Sequence, residues 1–311
     1  MTPALSLVIP TWNGRELLER FLPSIMAEAE RWAQAHGQGC EVVVSDDGST
    51  DGTSAWLAEC FAAVRQTVSA RNRGFAPAAN AGVAAALAPV VVLLNNDLEM
   101  TPGGLDFVLP WFEDAEVFGV TFRGCDWPEK SFATGGKLGR WRKGHWETWR
   151  NFEAPAGATF MLVGGFCAFR RDVFLSLGGF DPIFAPYYSE DLDLSYRARK
   201  RGWKLVYEPR TLVLHERSSS VNRHRKPYYR AKVTERNRLL FHWRNLDRGP
   251  LVWHLAWAHL LLAQMLFKGN FAYHAGYAQA IARLPQVWSH RTRERPHWKL
   301  HDRDLAIPPT A

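Results

Sequence analysis

Polar side chains able to do chemistry stand where apolar runs end. "SDDGSTDGT", residues 45–53, follows the apolar Val42-Val43-Val44. It reads as a tight turn into a helix. Its carboxylates repel phosphate, so it is no phosphate cradle, but they can accept hydrogen bonds from a base N–H or from ribose hydroxyls. "NND", Asn95, Asn96 and Asp97, closes Val90–Leu94. Asn and Asp suit a turn, and they also suit a ligand site at the carboxyl edge of a sheet. "RNRGFAPAANAG", residues 71–82, offers Arg71 or Arg73 to a diphosphate and Asn80 to a nucleotide, against a reading as surface charge. Glu190, Asp191 and Asp193 open a helix that ends in Arg197, Arg199, Lys200 and Arg201. That order complements the helix dipole. A carboxylate at such an entrance can also be a general base, and the dipole is expected to keep its pKa low. His215 ends the apolar Leu212–Leu214, where a structural role competes with a ligand role.

The elements that must position these groups follow from periodicity. Strands are expected at Leu5–Ile9, Glu41–Ser45, Val64–Ser69 and Val90–Leu94. Helices are expected at Arg15–Ala35, Asp51–Phe61 and Phe75–Leu87. This alternation predicts a parallel sheet with helices on both faces. Beyond Pro102 the pattern is less regular. Trp141–Phe152 reads as an aromatic loop or lid, and Ala158–Arg170 as a glycine-interrupted apolar stretch. A helix over Ser189–Arg201 and two short strands, Lys204–Tyr207 and Thr211–His215, complete this part. Trp127, Trp141, Trp146 and Trp149 could stack on a bound ring or pack the lid.

The 311 residues carry a formal charge of +7, from 38 basic against 31 acidic side chains. Such an excess suits an anionic partner. Arg217–Arg248 concentrates the cations, opposed only by Glu235 and Asp247. Leu251–Phe267 is almost wholly apolar, and its two His and flanking Trp favour a helix lying at an interface or packing in a groove over a true span or a plain core helix. The four cysteines match no zinc or redox spacing and read as free thiols of a reducing compartment. Met1–Leu5 has no signal-peptide pattern.

Together these motifs resemble glycosyltransferase family 2, inverting enzymes of the GT-A (nucleotide-diphospho-sugar transferase) fold, in the manner of bacterial rhamnosyltransferase-like, cell-surface polysaccharide enzymes. The matching pieces run in order over about residues 5–217: "VIPTWNG" at 8–14, "DDGSTDGT" at 46–53, "NRGFAPAAN" at 72–80, "NND" at 95–97, "GGFD" at 178–181, "EDLDL" at 190–194 and His215. The resemblance implies a nucleotide pocket from Pro10, Thr11, Asn13, Asp46, Asp47, Arg73, Asn80 and Asn96. Asp47 is placed on a uracil or thymine, with Asp46 supporting the turn. Asp97, His215 and Asn95 would hold Mg²⁺ or Mn²⁺ against the donor diphosphate, Asn95 departing from the family's Asp-x-Asp. Asp191 would be the catalytic base, with Glu190 beside it.

The fold class expected is α/β, a mostly parallel central sheet flanked by helices, plus a C-terminal helical extension. Residues 1–217 would be the catalytic domain, with a nucleotide half (1–100) and an acceptor half (101–217), and 218–311 a basic, amphipathic region. The expected reaction is inverting, non-processive transfer from a UDP- or dTDP-sugar to a lipid-linked or cell-surface glycan. The expected place is the cytoplasm, at an anionic inner leaflet. A soluble or protein acceptor, a homodimer through the C-terminal helices and an inactive nucleotide-sugar-binding module are the alternatives. Nucleic-acid binding is not expected, because the cations follow the α/β part and no recognition motif is present.

Overall fold

The computed structural model describes residues 2–129, 131–151, 155–216 and 226–307. Residues 217–225 of the basic segment and Phe152 therefore lie outside the described residues, as does the expected boundary at 217/218.

The first half forms as expected. Strands β1 (Leu5–Thr11), β2 (Cys40–Asp46), β3 (Arg65–Val68) and β4 (Val90–Leu94) alternate with helices α1 (Arg15–His36), α2 (Thr53–Cys60) and α3 (Phe75–Ala85). β1 pairs in parallel with β2 and β4, and β2 with β3. β4 is buried along its whole length, as a strand with both faces covered must be. On one face α1 buries Leu18, Phe21, Leu22, Ile25 and Trp32. On the other, Ala76, Ala79 and Val83 of α3 pack on Val8 and Val91. Each such Leu or Phe contributes about 1.5–3 kcal/mol.

The irregular middle holds more order than its sequence suggests. β5 (Leu98–Met100), β6 (Val117–Asp126), β7 (Phe132–Thr134), β10 (Gly157–Ala158) and β11 (Phe166–Arg170) join the sheet. Its order is β10-β12-β6-β11-β4-β1-β2-β3, with β5 on β12 and β7 on β6; β12 is Lys204–His215. β11 runs antiparallel to both β4 and β6, while β12 runs parallel to β6. Six strands thus point one way, and the sheet is mostly parallel. The two short strands expected at 204–207 and 211–215 are one strand. Its register on β6 shifts between Glu208 and Leu212, around Pro209, which has no N–H for the ladder.

Trp141–Arg150 is no loop. β8 (Lys137–Arg142) and β9 (His145–Arg150) form a hairpin with Trp141 opposite Trp146. Its two-residue turn is Lys143-Gly144, with φ of 46° and 74°, the paired positive dihedrals that match strand twist.

Helices α4 (Arg171–Ser176) and α5 (Glu190–Lys200) cover the α3 face. Then come α6 (Pro227–Asn245), α7 (Arg248–Phe267), α8 (Phe271–Ile281) and α9 (Leu284–Glu294). α6 contributes Leu239, Leu240, Phe241 and Trp243 to a third apolar cluster with Trp146, Phe160, Phe184 and Tyr196. The basic segment corrects one expectation here. Arg236 and Arg244 are buried: Arg244 lies 2.9 Å from Asp181, and Arg236 faces backbone carbonyls. They hold the fold and are not free for an anionic surface.

Candidate active site

Because six strands run one way, their carboxyl ends share an edge. There β1 ends at Thr11, β2 at Asp46, β4 at Leu94, β6 at Asp126 and β12 at His215. The antiparallel β11 brings its beginning to the same place, with Phe166 opposite Leu94.

Polar staples join the turns along this edge. Asn96 Nδ2 donates to Thr11 Oγ1 at 2.8 Å. Asn13, at φ 46°, donates its own N–H to the Ser49 hydroxyl oxygen and accepts the Thr50 N–H on Oδ1, both at 2.8 Å. Its side-chain oxygen is therefore already committed. Asp46 accepts from Ser49 N at 2.8 Å and from the Ser54 hydroxyl at 2.5 Å, the turn support expected of it.

Asp47 is different. Oδ2 accepts from the backbone of Arg73 at 2.7 Å and of Gly74 at 2.6 Å, while Oδ1 is buried with no hydrogen-bond partner. Burial raises its pKa, against those two N–H groups. A buried acceptor without a donor costs about 1–3 kcal/mol, and a ligand N–H would relieve it. The Arg73 side chain is exposed, free to meet phosphate. Asn80 is not: Nδ2 donates to Phe180 O at 2.8 Å and Oδ1 accepts from Phe180 N at 2.9 Å. That closed pair ties α3 to the segment before α5, so a nucleotide role for Asn80 gives way to a structural one.

Asp97 is buried beside His215, with Oδ1 3.1 Å from Nε2. That oxygen makes no hydrogen bond. An unsatisfied carboxylate oxygen next to an imidazole nitrogen is a donor set that suits a divalent cation. Among the described residues no group of three or more His, Cys, Asp or Glu converges, so the remaining ligands would be phosphate oxygens and water.

Sequence reading missed the link between this turn and the carboxylate pair. Gly165 O accepts the Asn95 N–H at 2.8 Å, and Gly164 N donates to Asp191 Oδ2 at 3.3 Å. Two adjacent glycines thus separate Asn95 from Asp191. A Cβ on Gly165 would lie 2.5 Å from Asn95 Nδ2, so a larger residue there would displace the Asn95 amide. The signal was present as the glycine interruption of an apolar stretch, but nothing in it named the neighbours.

Asp191 opens α5, and its pKa is raised, not lowered as the helix dipole suggested. Burial does this, opposed by the N–H groups of Gly164 and Leu192 and by the Lys137 charge. Desolvation of the charged form outweighs a half-charge at a helix end. Glu190 is raised too, by burial and then by the Asp191 charge, and its Oε2 has no hydrogen-bond partner. Asp193 does another job. Burial works to raise it, but Arg244 and Arg197 hold it well below the usual carboxylate range. It pairs with Arg197 one turn along α5 at 2.8 Å, and it ties α5 to α6 through Arg244 at 3.4 Å. Of the four tryptophans, Trp146 is buried and donates to the Tyr196 hydroxyl at 3.0 Å, and Trp141 packs on it edge to face. These two pack the hairpin.

Residues 6–178 match the family described as Glycosyl transferase family 2. An N-acetylglucosaminyl-diphospho-decaprenol L-rhamnosyltransferase of Mycobacterium tuberculosis is 31% identical over 252 residues, 72% of this chain and 79% of the relative. The O-antigen biosynthesis protein RfbC of Myxococcus xanthus is 29% identical over 70% of this chain, which spans only 18% of that protein. Among solved structures, GalNAc-T7 with UDP, GalNAc and Mn²⁺ superposes with a TM-score of 0.60 at 19% identity, over 79% of this chain and 49% of the other, so the chain spans about half its length. The mannosyltransferase PcManGT of Pyrobaculum calidifontis, with GDP-Man and Mn²⁺, gives 0.54 at 19% identity, over 96% and 82%. The fold is the one these share, GT-A.

Proposed function

The chain belongs to glycosyl transferase family 2, and from that membership we propose an inverting, non-processive transfer from a UDP- or dTDP-linked sugar to a hydroxyl of a lipid-linked or cell-surface glycan. The observation that supports this best is the diglycine Gly164-Gly165, whose backbone bonds the raised-pKa Asp191 carboxylate on one side and the Asn95–Asp97 turn on the other.

In this reading Asp47 Oδ1 accepts from the N3–H of a uracil or thymine. Thr11 and Asn96 line the pocket floor beside Pro10, and Arg73 faces the diphosphate. Asp97 and His215, with Asn95 beside them, hold Mg²⁺ or Mn²⁺, whose charge offsets that building on the leaving diphosphate. Asp191 takes the proton of the acceptor hydroxyl as its oxygen attacks the anomeric carbon from the side opposite the nucleotide. Its raised pKa makes it a stronger base than an ordinary aspartate. Glu190 is raised beside it, by burial and by the Asp191 charge, so a second negative charge on the pair is disfavoured. Base assistance contributes about 10²–10⁴-fold. Residues 1–217 form the catalytic part.

The relative of Mycobacterium tuberculosis, by its name, acts on a prenyl-diphosphate sugar, and a lipid-linked N-acetylglucosaminyl diphosphate is the acceptor class we favour, with L-rhamnose the first sugar to try. The C-terminal helices support an encounter with such an acceptor at a cytoplasmic membrane face. α7 is the one helix, among the described residues, long and apolar enough to cross a membrane. It buries His254 and Ala258 and exposes Val252, Trp253, Leu260 and Phe267, the last 91% exposed. Residues 248–293 contain no Asp or Glu, and Arg248, Lys268, Arg283 and Arg293 accompany the apolar side chains. An apolar face with cations and no acids fits an anionic leaflet.

The test is a thermal-shift titration with UDP, dTDP, GDP and CDP, with and without Mn²⁺. Ligand at 100 times its Kd adds about 2.7 kcal/mol. A shift with UDP or dTDP that requires Mn²⁺ is the expected result. No shift with any nucleotide would overturn the donor reading.

A further inference from the structure

The backbone leading into α5 is strained. Tyr188 and Ser189, neither of them glycine, have φ of 72° and 77°. A left-handed L-residue costs about 1–2 kcal/mol, and two in succession persist only where the surroundings over-determine them. Asp191 follows two residues later.

What holds this turn is a side chain from α6. The Asn237 side chain is fully buried, and its Nδ2 faces three carbonyl oxygens: Phe184 at 2.6 Å, Tyr187 at 2.8 Å and Tyr188 at 2.8 Å. One amide nitrogen with two hydrogens serves all three. The orientation of the amide is fixed, because Arg236 Nε donates to Asn237 Oδ1 at 2.9 Å. Arg236 also donates to Ala185 O at 2.5 Å. Eight residues further along α6, two helical turns on and on the same side, Asn245 Nδ2 donates to Asp193 Oδ1 at 2.8 Å. One side of α6 therefore grips the turn before Asp191 and the carboxylate after it.

We propose that Asn237 is a positioning residue for sugar transfer: by holding the Tyr187–Ser189 turn it fixes where Asp191 stands relative to the acceptor hydroxyl. This rests on Asp191 being the base. The hydrogen bonds of Asn237 end on the segment that leads into Asp191, so its effect is expected to fall on turnover more than on donor binding. A misplacement of about 1 Å can cost about 100-fold in rate.

The experiment compares Asn237→Ala, Asn237→Asp and Asp191→Asn with the wild-type protein. Binding is read with UDP and dTDP in Mn²⁺. Turnover is read as nucleoside diphosphate released from UDP- and dTDP-sugars, with N-acetylglucosaminyl-diphospho-prenol as acceptor. Both Asn237 variants are expected to lose about 10- to 100-fold in kcat and to keep donor KM within about twofold. The acid limb of their kcat profile should move to lower pH, because a loosened turn lets water reach Asp191. The Asp variant keeps the shape of Asn but sets a carboxylate oxygen against the three carbonyls, so it should lose at least as much as Asn237→Ala. Should Asn237→Ala not fold, Asn237→Ser keeps one donor and stands in for it. A role confined to stability would lower Tm and leave kcat and the acid limb of the folded protein unchanged; that result overturns the proposal. Turnover retained by Asp191→Asn overturns the base reading and the proposal with it. Asp191→Asn inactive beside fully active Asn237 variants overturns the positioning role alone.

Discussion

His215 Nε2 lies 3.1 Å from Asp97 Oδ1, and the second is a buried oxygen without a hydrogen bond. The pairing of His215 with Leu98 across β12 and β5 brings them together. Removing either should weaken Mn²⁺-dependent nucleotide binding. Asp97→Ala is expected to abolish the Mn²⁺ part of the thermal shift, and His215→Ala to raise the half-saturating Mn²⁺ concentration roughly 10- to 100-fold. Nucleotide binding that ignores Mn²⁺ in the wild type and both variants would leave the pair as a plain ion pair.

The pH dependence of transfer follows from the raised Asp191. A base must be deprotonated, so activity falls as pH drops through its pKa. With that pKa raised by burial, the acid limb should sit above the roughly 3.9 of an ordinary aspartate. Glu190 is raised beside it, so the pair titrates in shared steps. Glu190→Gln removes the neighbouring carboxyl and should move the limb to lower pH. A limb that stays in place shows the two do not interact.

Gly165→Ala should displace the Asn95 side chain. The added Cβ would fall 2.5 Å from Asn95 Nδ2, so that half-buried amide must turn away from its place beside Asp97. Lower Tm and weaker Mn²⁺-dependent binding are expected together. Unchanged values for both would mean that the diglycine does not set the turn.

The legible part of this protein was its first hundred residues. There β1, β2 and β4 are built on short apolar runs, α1 has a clear helical period, and Asp46, Asp47 and Asp97 sit at strand ends where their type announces them. β6 was not legible. Its Val117–Asp126 run is broken by Gly119, Thr121 and Gly124, which fill tight spaces in the sheet and mask the strand pattern. The hairpin was hidden by its tryptophans, and β12 by Pro209. Within the site, the roles of Asn80 and Asn237 depend on partners about 50 to 100 positions away, a distance that local pattern does not encode. The raised Asp191 was missed because a helix dipole is visible in sequence and burial is not.

The exposed face of α7 predicts binding to anionic vesicles at low salt. Trp253→Ser with Phe267→Ser should reduce flotation with phosphatidylglycerol vesicles and leave Tm nearly unchanged, since both side chains are mostly exposed. Indifference of the wild-type protein to vesicles, together with a dimeric mass in detergent-free buffer, would assign the face to a second copy of the chain.

Stability should fall in mild acid through the histidines behind the hairpin. His242 Nε2 accepts from Trp146 N at 2.9 Å, and His254 stacks on it at 4.5 Å. Burial pushes His242 well down, and it pushes His254 down to about 4. Their folded pKa values are depressed, so their contribution is complete above about pH 6.5 and is lost as pH falls towards 4. Each contributes up to about 1.4 kcal/mol per pH unit in that window. The fall in Tm between pH 7.5 and 5.0 should be smaller in His254→Gln than in the wild type. Equal falls would place the acid sensitivity elsewhere.

The central claim is that donor binding and proton removal belong to separate groups, Asp97 with His215 and Asp191. The measurement that tests it most directly is release of nucleoside diphosphate by Asp191→Asn, from UDP- and dTDP-sugars with N-acetylglucosaminyl-diphospho-prenol, beside its Mn²⁺-dependent nucleotide affinity. The account predicts wild-type affinity and a loss of about 10²–10⁴-fold in turnover. Wild-type turnover in that variant would contradict it.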